Sequence, residues 1–411
     1  MADQSFVIVG ASLAGAKAAE TLREEGFDGR VVLVGAESER PYERPPLSKD
    51  YLRGEANGKP YVHDEDFYAD RQIELRMSTT VERIDPAARR VALAGGETLD
   101  FDRLLLATGA RPRVVSLPGA ELDGVLSLRT VSDSEAIRER IDAGGRLVTI
   151  GAGWIGAEVA ASARQGGCDV AILEMAQLPL ERVLGRELGE IYRDIHTDHG
   201  AEFIGGAAVE AIEGDGKVAA VRLADGRRIA ADFVVVGVGV EPRAELAEAA
   251  GIATGNGILV DDRLQTSAPG IYAAGDVANA QHPFYAARIR VEHWANALNQ
   301  GPAAARNMLG RGEPYDRIPY FFSDQYDVGM EYSGYATDWN EVLFRGDPRT
   351  REFIAFWLKD ERVIAGMNVN VWDVNEDIQA LIRTRRAIDR RRLADPDIAV
   401  QDVLAESRSA P

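Results

Sequence analysis

Arg146-Leu-Val-Thr-Ile-Gly151-Ala-Gly153-Trp-Ile-Gly156 is a short apolar, β-rich run that opens onto three glycines in Gly-x-Gly-x-x-Gly spacing. A helical pattern follows from about Ile155 to Gly166, and then a second β-run, Asp169-Val-Ala-Ile-Leu-Glu174, which ends in an acid. Strand, glycine turn, helix, strand and acid are the parts of a βαβ dinucleotide site. The first glycine makes the turn, the second lets backbone approach a pyrophosphate, and the third lets helix pack on strand. The helix N-terminus then offers unbonded N–H groups and the positive end of its dipole to the phosphates. Glu174 is placed to accept both ribose hydroxyls, and no cation follows it until Arg182. A 2′-phosphate would meet a carboxylate there, so the pattern predicts NADH over NADPH. Taken alone, the glycines also suit an ordinary tight strand–helix turn.

The same plan stands at the N-terminus. Ser5-Phe-Val-Ile-Val-Gly10 is the β-run. Leu13 to Gly26 carries Leu13, Ala14, Ala18, Ala19 and Leu22 at helical spacing, and Arg30-Val-Val-Leu-Val-Gly35 precedes the acid Glu37. This fingerprint, Gly10-Ala-Ser12-Leu-Ala-Gly15, has serine where the second glycine belongs. Serine adds a small side chain at the phosphate approach, and its hydroxyl can bond a phosphate oxygen. By itself this copy reads equally as a dinucleotide site or a structural turn. The echo runs further. Val81-Glu-Arg-Ile-Asp85 matches Val209-Glu-Ala-Ile-Glu213. Asp102 to Gly109, Pro112 and Arg113 match Asp232 to Gly239, Pro242 and Arg243 at identical offsets. Two homologous nucleotide domains, each with a meander near its end, are expected.

Composition narrows the function classes. A chain of 411 residues is too long for one ordinary core, and 45% hydrophobic with 27% charged residues is a globular balance. A net charge of −19 repels nucleic acid and anionic membrane. The single cysteine, Cys168, excludes an intrachain disulfide framework, a Cys-rich zinc site and a dithiol pair within the chain. It reads as a small buried hydrophobe rather than a reactive thiol. Five histidines without ligand spacing predict no metal site. The chain opens on a strand-like run with no basic cap and apolar segment before it. No stretch approaches the ~18 apolar residues of a membrane span, so a cytoplasmic protein is expected.

A further element is Thr266-Ser-Ala-Pro-Gly-Ile-Tyr-Ala-Ala-Gly275-Asp276, a strand closing on Gly-Asp. With the two fingerprints, Ala107-Thr108-Gly109 and Gly237-Val238-Gly239, taken in this order, residues 5 to 310 resemble the two-dinucleotide-binding flavoprotein reductases. The cysteine pair of the disulfide-reducing members is missing. The segment Arg40-Pro-Tyr-Glu-Arg44-Pro-Pro-Leu-Ser-Lys49 instead resembles the NADH-dependent ferredoxin reductases of oxygenase and cytochrome P450 chains. Ser323-Asp-Gln325-Tyr326 and Trp294-Ala-Asn-Ala-Leu-Asn-Gln300 resemble them too.

The resemblance implies two cofactors, FAD and NADH. For FAD it points to Gly10, Ser12, Leu13, Ala14 and Gly15, then Glu37, Arg44, Lys49 and Val81. Ala107, Thr108 and Gly109, Arg129, Gly275 and Asp276 belong to the same set, Asp276 accepting from a ribityl hydroxyl. For NADH it points to Gly151, Gly153, Trp154, Ile155 and Gly156, with Glu158, Glu174, Gly237, Val238 and Gly239. Lys49 is expected near the reactive face of the flavin, paired with Glu158 near the nicotinamide. The alternative is that both are exposed surface residues. Trp294 should open a helix whose N-terminus points at the flavin, its indole packing on the ring or simply in a core. Gly301-Pro302 then falls inside that helix and should kink it or start a new one. His293 reads as a proton shuttle or as a structural histidine.

After about Ile318 aromatics cluster and alternating runs follow, with a helix from about Asp377 to Ile388. The expected fold class is therefore α/β, with two Rossmann-like dinucleotide-binding domains and a smaller α+β C-terminal domain. The expected boundaries are 1–113 with 241–317 for FAD, 114–240 for NADH and 318–411 for the last. The implied activity takes hydride from NADH and passes electrons singly to a [2Fe–2S] ferredoxin. Arg288 with Arg290, or the run Arg383, Arg385, Arg386, Arg390, Arg391 and Arg392, would receive that acidic partner. The run suits a solvated helix face equally well. Rival readings are a reductase of rubredoxin or an ascorbate radical, and a non-turnover FAD/NADH redox sensor.

Overall fold

The computed structural model describes residues 3–404, so the terminal Ser407–Pro411, expected to fray, lies outside the described residues. The chain divides into two compact units. The first comprises Met1–Pro45, Asn57–Arg113 and Val240–Arg317; the second comprises Pro46–Ala56, Val114–Gly239 and Ile318–Pro411. The class is α/β, with parallel Rossmann-like sheets and a C-terminal antiparallel sheet, as the sequence predicts.

The first unit is built on a parallel sheet in the order Ile271–Ala273, Arg103–Leu106, Ser5–Val9, Arg30–Val34, Ile73–Arg76. Its central strands are continuous apolar runs because both faces are covered, and Val7, Ile8, Val32 and Leu105 are fully buried. Helix Leu13–Glu24 covers one face through Ala14, Ala18, Ala19 and Leu22. The small residues serve a second helix, Trp294–Met308. At Gly301 a Cβ would lie 2.3 Å from the Ala14 carbonyl, so the two helices touch backbone to backbone. Trp294–Met308 runs through Pro302 as one helix. Proline there forgoes a single bond to the Leu298 carbonyl, and packing against the first helix holds the turn together.

The second unit repeats the plan. Its parallel sheet has the order Glu202–Gly205, Asp169–Glu174, Arg146–Ile150, Phe233–Val236, Val125–Leu126. Each sheet has its three-stranded meander: Val81–Asp85, Arg90–Leu93 and Thr98–Asp100 in one, Val209–Asp215, Lys217–Leu223 and Arg228–Ala230 in the other. The matched aspartates do the same job. Asp102 Oδ2 accepts from the Ser5 N–H at 2.8 Å, and Asp232 Oδ2 from the Arg146 N–H at 2.7 Å, closing the start of each first strand. The copies differ at the outermost strand. Beside Arg103–Leu106 it comes from late in the chain, and beside Phe233–Val236 from before the repeat begins.

The C-terminal sheet is antiparallel, in the order Tyr320–Gln325, Val328–Gly334, Arg362–Val369, Glu352–Lys359, Glu341–Asp347. Its inner face shares one core with the amphipathic helix Arg186–Asp198, where Leu188, Tyr192 and Ile195 meet Phe353, Met367 and Trp357. The fully buried Trp357 donates its indole N–H to the Leu184 carbonyl at 3.1 Å. The expected helix to Ile388 stops sooner, at Asn375–Thr384, because Arg385 takes a left-handed φ of 53°. Ile388, expected at the helix end, is buried from a loop. A second short helix, Arg390–Ala394, starts behind it on an Asp389 cap. Among the described residues no helix is long and apolar enough to cross a membrane.

Candidate functional site

The two fingerprint turns are shaped by the protein's own backbone at their first and third glycines. Gly10 has φ +115°, and a Cβ there would sit 2.1 Å from the Ala107 carbonyl; at Gly15 it would sit 2.0 Å from the Gly10 carbonyl. In the second copy Gly151 has φ +100° and would strike Gly237 O at 2.6 Å, while Gly156 would strike Gly151 O at 2.1 Å. Ala107 and Gly237 recur in the motif because each forms the floor of its turn. The middle position is different. A Cβ at Gly153 would find nothing nearer than 3.9 Å, so internal packing does not demand that glycine. That opening fits a ligand's phosphates approaching the backbone.

Both helices that start from these turns are left open at the N-terminus. Ser12 and Gly153 are the N-cap residues, neither makes a side-chain cap, and no acid lies in either first turn. Neighbouring helix Val131–Ala143, by contrast, carries a full capping box between Thr130 and Asp133. Uncapped N–H groups and a positive dipole end, with no carboxylate in the first turn, suit an anion. Helix Trp294–Met308 in the first unit is likewise without a side-chain cap at His293 or an acid in its first turn.

The two acids are held in different ways. Glu174 accepts from the Ala152 N–H at 2.7 Å on one oxygen and from the Ala176 N–H at 2.9 Å on the other, so the fingerprint turn itself orients it. Ile155, Met175 and Val238, each just beyond the C-terminal end of one of three neighbouring parallel strands, are exposed apolar side chains there. Glu37 is instead clamped by side chains. The Arg44 guanidinium donates to it at 2.8 Å and the Tyr42 hydroxyl to its other oxygen. Asp276 sits in the short turn Gly275–Val277, and Gly275 donates its N–H to Gln300 of the long helix at 2.9 Å. Leu13 and Ala14 are buried in the first helix turn, Val81 begins its meander, and the Thr108 hydroxyl donates to the Arg243 carbonyl at 2.7 Å beside Gly109.

Lys49 and Glu158 meet in the second unit. Lys49 Nζ lies 2.7 Å from Glu158 Oε2, with the two side chains 11% and 5% exposed. The Ser48 hydroxyl donates to the same oxygen at 2.5 Å, and the Ser323 hydroxyl to the other at 2.7 Å. The Phe322 ring lies 5.6 Å from the ammonium. Lost hydration holds the nearby Asp324 carboxyl above its usual range, with Lys49 drawing it down and Glu158 pushing it up. Glu158 is presented by helix Trp154–Gln165, Lys49 by the turn after Pro45–Ser48, and Ser323 by the first strand of the antiparallel sheet. Lys49 and Arg129 therefore belong to the second unit, whereas Arg44, Glu37, Asp276 and Trp294 belong to the first.

Other positions resolve as follows. Trp154 packs edge-on to Tyr192 and Phe321, so it serves the core while Ile155 faces out. Burial holds His293 near a pKa of about 4, against the pull of Asp276, which keeps its ring neutral. Cys168 is fully buried and lies 3.7 Å from the Ile141 carbonyl. Arg290 is 8% exposed and bound to Glu292 and the Asp276 carbonyl, and Arg288 is tied to the Val260 and Asn279 carbonyls. In the arginine run, Arg390 pairs with Glu341 and Arg392 with the Asp402 and Val403 carbonyls, while Arg383, Arg385, Arg386 and Arg391 are exposed. Among the described residues no cluster of three potential metal ligands forms. Sequence reasoning missed Ser48 and Ser323 as partners of Glu158. Both sit in segments quoted for their resemblance, next to Lys49 and just before Gln325.

Known proteins resemble this chain over nearly its whole length. Residues 4–301 match the pyridine nucleotide-disulphide oxidoreductase model, and residues 320–404 match the reductase C-terminal model. A probable ferredoxin reductase of Castellaniella defragrans is 38% identical, the match covering 97% of this chain and 98% of the relative. The ferredoxin–NAD(+) reductase component of an anthranilate 1,2-dioxygenase system of Burkholderia cepacia is also 38% identical, over 98% of this chain and all of the relative. A solved covalent complex of putidaredoxin reductase with putidaredoxin superposes with a TM-score of 0.94 at 35% identity, covering 100% of both chains. The match over most of the chain, and over both its nucleotide-binding repeats, makes this protein a member of the pyridine nucleotide-disulphide oxidoreductase family with a reductase-type C-terminal domain.

Proposed function

We propose that this chain is an NADH:ferredoxin oxidoreductase that carries FAD, acts in the cytoplasm, and serves a [2Fe–2S] ferredoxin of an oxygenase or cytochrome P450 chain. The observation that carries the proposal is the pair of open strand–turn–helix cradles combined with a buried Lys49–Glu158 pair in a chain without a second cysteine. Bound FAD supplies the conversion between a two-electron hydride and single electrons.

The chain's own residues do the rest. Gly10, Ser12 and Gly15, with the N-terminus of Leu13–Glu24, hold the FAD pyrophosphate, and the Ser12 hydroxyl is available because it caps nothing. Glu37, fixed by Arg44 and Tyr42, takes the ribose, and Asp276 a ribityl hydroxyl. Gly151, Gly153 and Gly156 hold the NADH pyrophosphate. The two oxygens of Glu174, already turned by backbone N–H groups, each keep a lone pair for the ribose diol. Lys49 is held against Glu158 at 2.7 Å where water is sparse, and so presents a fixed cation to the reacting centre. The N-terminus at Trp294 adds a positive dipole end.

Exposed Arg383, Arg385, Arg386 and Arg391, in a run of six arginines with one acid, form the docking surface for the acidic ferredoxin, whereas Arg290 is largely buried and paired with Glu292. The test is anaerobic. The FAD-loaded protein should bleach with NADH and then reduce cytochrome c only when a [2Fe–2S] protein is added. Neutralising Arg383, Arg385 and Arg386 together should lower ferredoxin-dependent turnover far more than ferricyanide reduction. Turnover with rubredoxin or an ascorbate radical alone would replace the acceptor. Slow reduction ending in a stable charge-transfer band would replace catalysis with sensing.

A further inference from the structure

Hydrogen bonding at Glu158 does not end with Ser323. Gln325 Nε2 lies 3.2 Å from Ser323 Oγ, Gln325 Oε1 lies 3.0 Å from His196 Nε2, and His196 Nδ1 lies 3.2 Å from the Tyr326 hydroxyl. Ser323, Gln325 and His196 are each at most 1% exposed, so water does not compete for the bonds among these three. Their directions follow from one charge. A carboxylate only accepts, so the Ser323 proton goes to Glu158 and Ser323 Oγ accepts from the Gln325 amide. The amide carbonyl therefore faces His196, whose proton must sit on Nε2, and Nδ1 accepts from Tyr326. Burial holds His196 at a pKa of about 4, consistent with a neutral ring having one donor and one acceptor nitrogen.

We propose that Gln325 and His196 are positioning residues for flavin reduction: they lock the Ser323 hydroxyl onto Glu158 and so fix the acid that holds Lys49. The chain is a strut and not a proton relay, because an amide passes no proton without changing tautomer. The inference rests on the reading of Lys49 and Glu158 given above. It also gives the antiparallel sheet a part in the site, since two of its neighbouring inward side chains carry the strut to a helix of the nucleotide-binding repeat.

The test uses the FAD-loaded protein. Gln325→Glu keeps the shape but makes position 325 accept from both neighbours, turning Ser323 away from Glu158. The limiting rate of flavin reduction by NADH should fall roughly tenfold, with half-saturating NADH changed by less than about twofold. Ser323→Ala should match that loss, Ser323→Thr should restore the rate, and Gln325→Glu should add nothing to Ser323→Ala. Nitrogen-15 NMR of histidine-labelled wild-type protein, assigned with His196→Asn, should show the Nε2–H tautomer, and this readout survives even if a variant misfolds. A Nδ1–H tautomer, or wild-type rates in Ser323→Ala and Gln325→Glu while Lys49→Ala and Glu158→Gln are slow, would overturn the strut alone. Wild-type rates in Lys49→Ala and Glu158→Gln would bring down the underlying reading with it.

Discussion

Glu158→Gln separates the charge of the acid from its shape. In the native protein the carboxylate accepts from Lys49 at 2.7 Å, Ser48 at 2.5 Å and Ser323 at 2.7 Å. Glutamine keeps one acceptor oxygen and turns an NH2 toward donors, so buried Lys49 loses the carboxylate it meets at 2.7 Å. Breaking a buried pair from one side costs about 3–5 kcal/mol. The surviving acceptor puts this case near the lower end, at about 3 kcal/mol. At about 2–4 °C per kcal/mol for a unit of this size, the unfolding midpoint should fall by roughly 6–12 °C. Removing both charges should be gentler than removing one, so Lys49→Met with Glu158→Leu should recover at least half of the loss. Flavin reduction by NADH should stay slow in both. Thermal unfolding by circular dichroism and anaerobic stopped-flow at the flavin band measure the two quantities. A single variant losing under about 1 kcal/mol, or a double variant less stable than the single, would refute the argument that the ion pair is closed to solvent.

Three further outcomes are expected. Gly153→Ala should fold normally, because its Cβ has room, yet weaken NADH binding; Gly156→Ala should destabilise the fold itself, since its Cβ would strike the Gly151 carbonyl at 2.1 Å. Calorimetric titration and thermal melts distinguish them, and equal stability losses would show that the middle glycine is structural. Glu174→Ala should narrow the preference for NADH over NADPH, measured as the ratio of kcat/KM values, and an unchanged ratio would remove the acid from ribose reading. His196 has its pKa lowered from about 6.5 to about 4 by burial, so the unfolded chain binds more protons than the native one between those values and stability is lost as pH falls from 6.5 to 4. Replacing His196 with Asn should flatten the dependence of unfolding free energy on pH across that window; an unaltered slope would mean that the ring is solvated in the native state.

Much of the repeat was legible because it rests on backbone requirements that side chains announce directly. Gly10 and Gly151 must take φ near +100°, and Gly15 and Gly156 must let a helix touch a carbonyl, so their spacing survives in both copies. Asp102 and Asp232 stood out at equal offsets before any role was known, and each closes the N–H of its first strand. Where periodicity misled, a loop residue had taken a core position. Ile388 is buried without being helical, and Arg385 ended the helix by adopting a left-handed conformation that no neighbouring residue signals.

The linear chain by itself determined the two nucleotide cradles, the acids that follow them and the absence of a thiol pair, because each depends on residues within one strand–turn–helix segment. Tertiary structure decided what encloses Glu158. Its partners come from positions 48, 49 and 323, and the support behind them from 196, 325 and 326. Those separations exceed any local period, and only the docking of the antiparallel sheet on the helices of the second repeat strips water from them. Burial turns these six ordinary polar side chains into an oriented array, since without water each donor has few acceptors left.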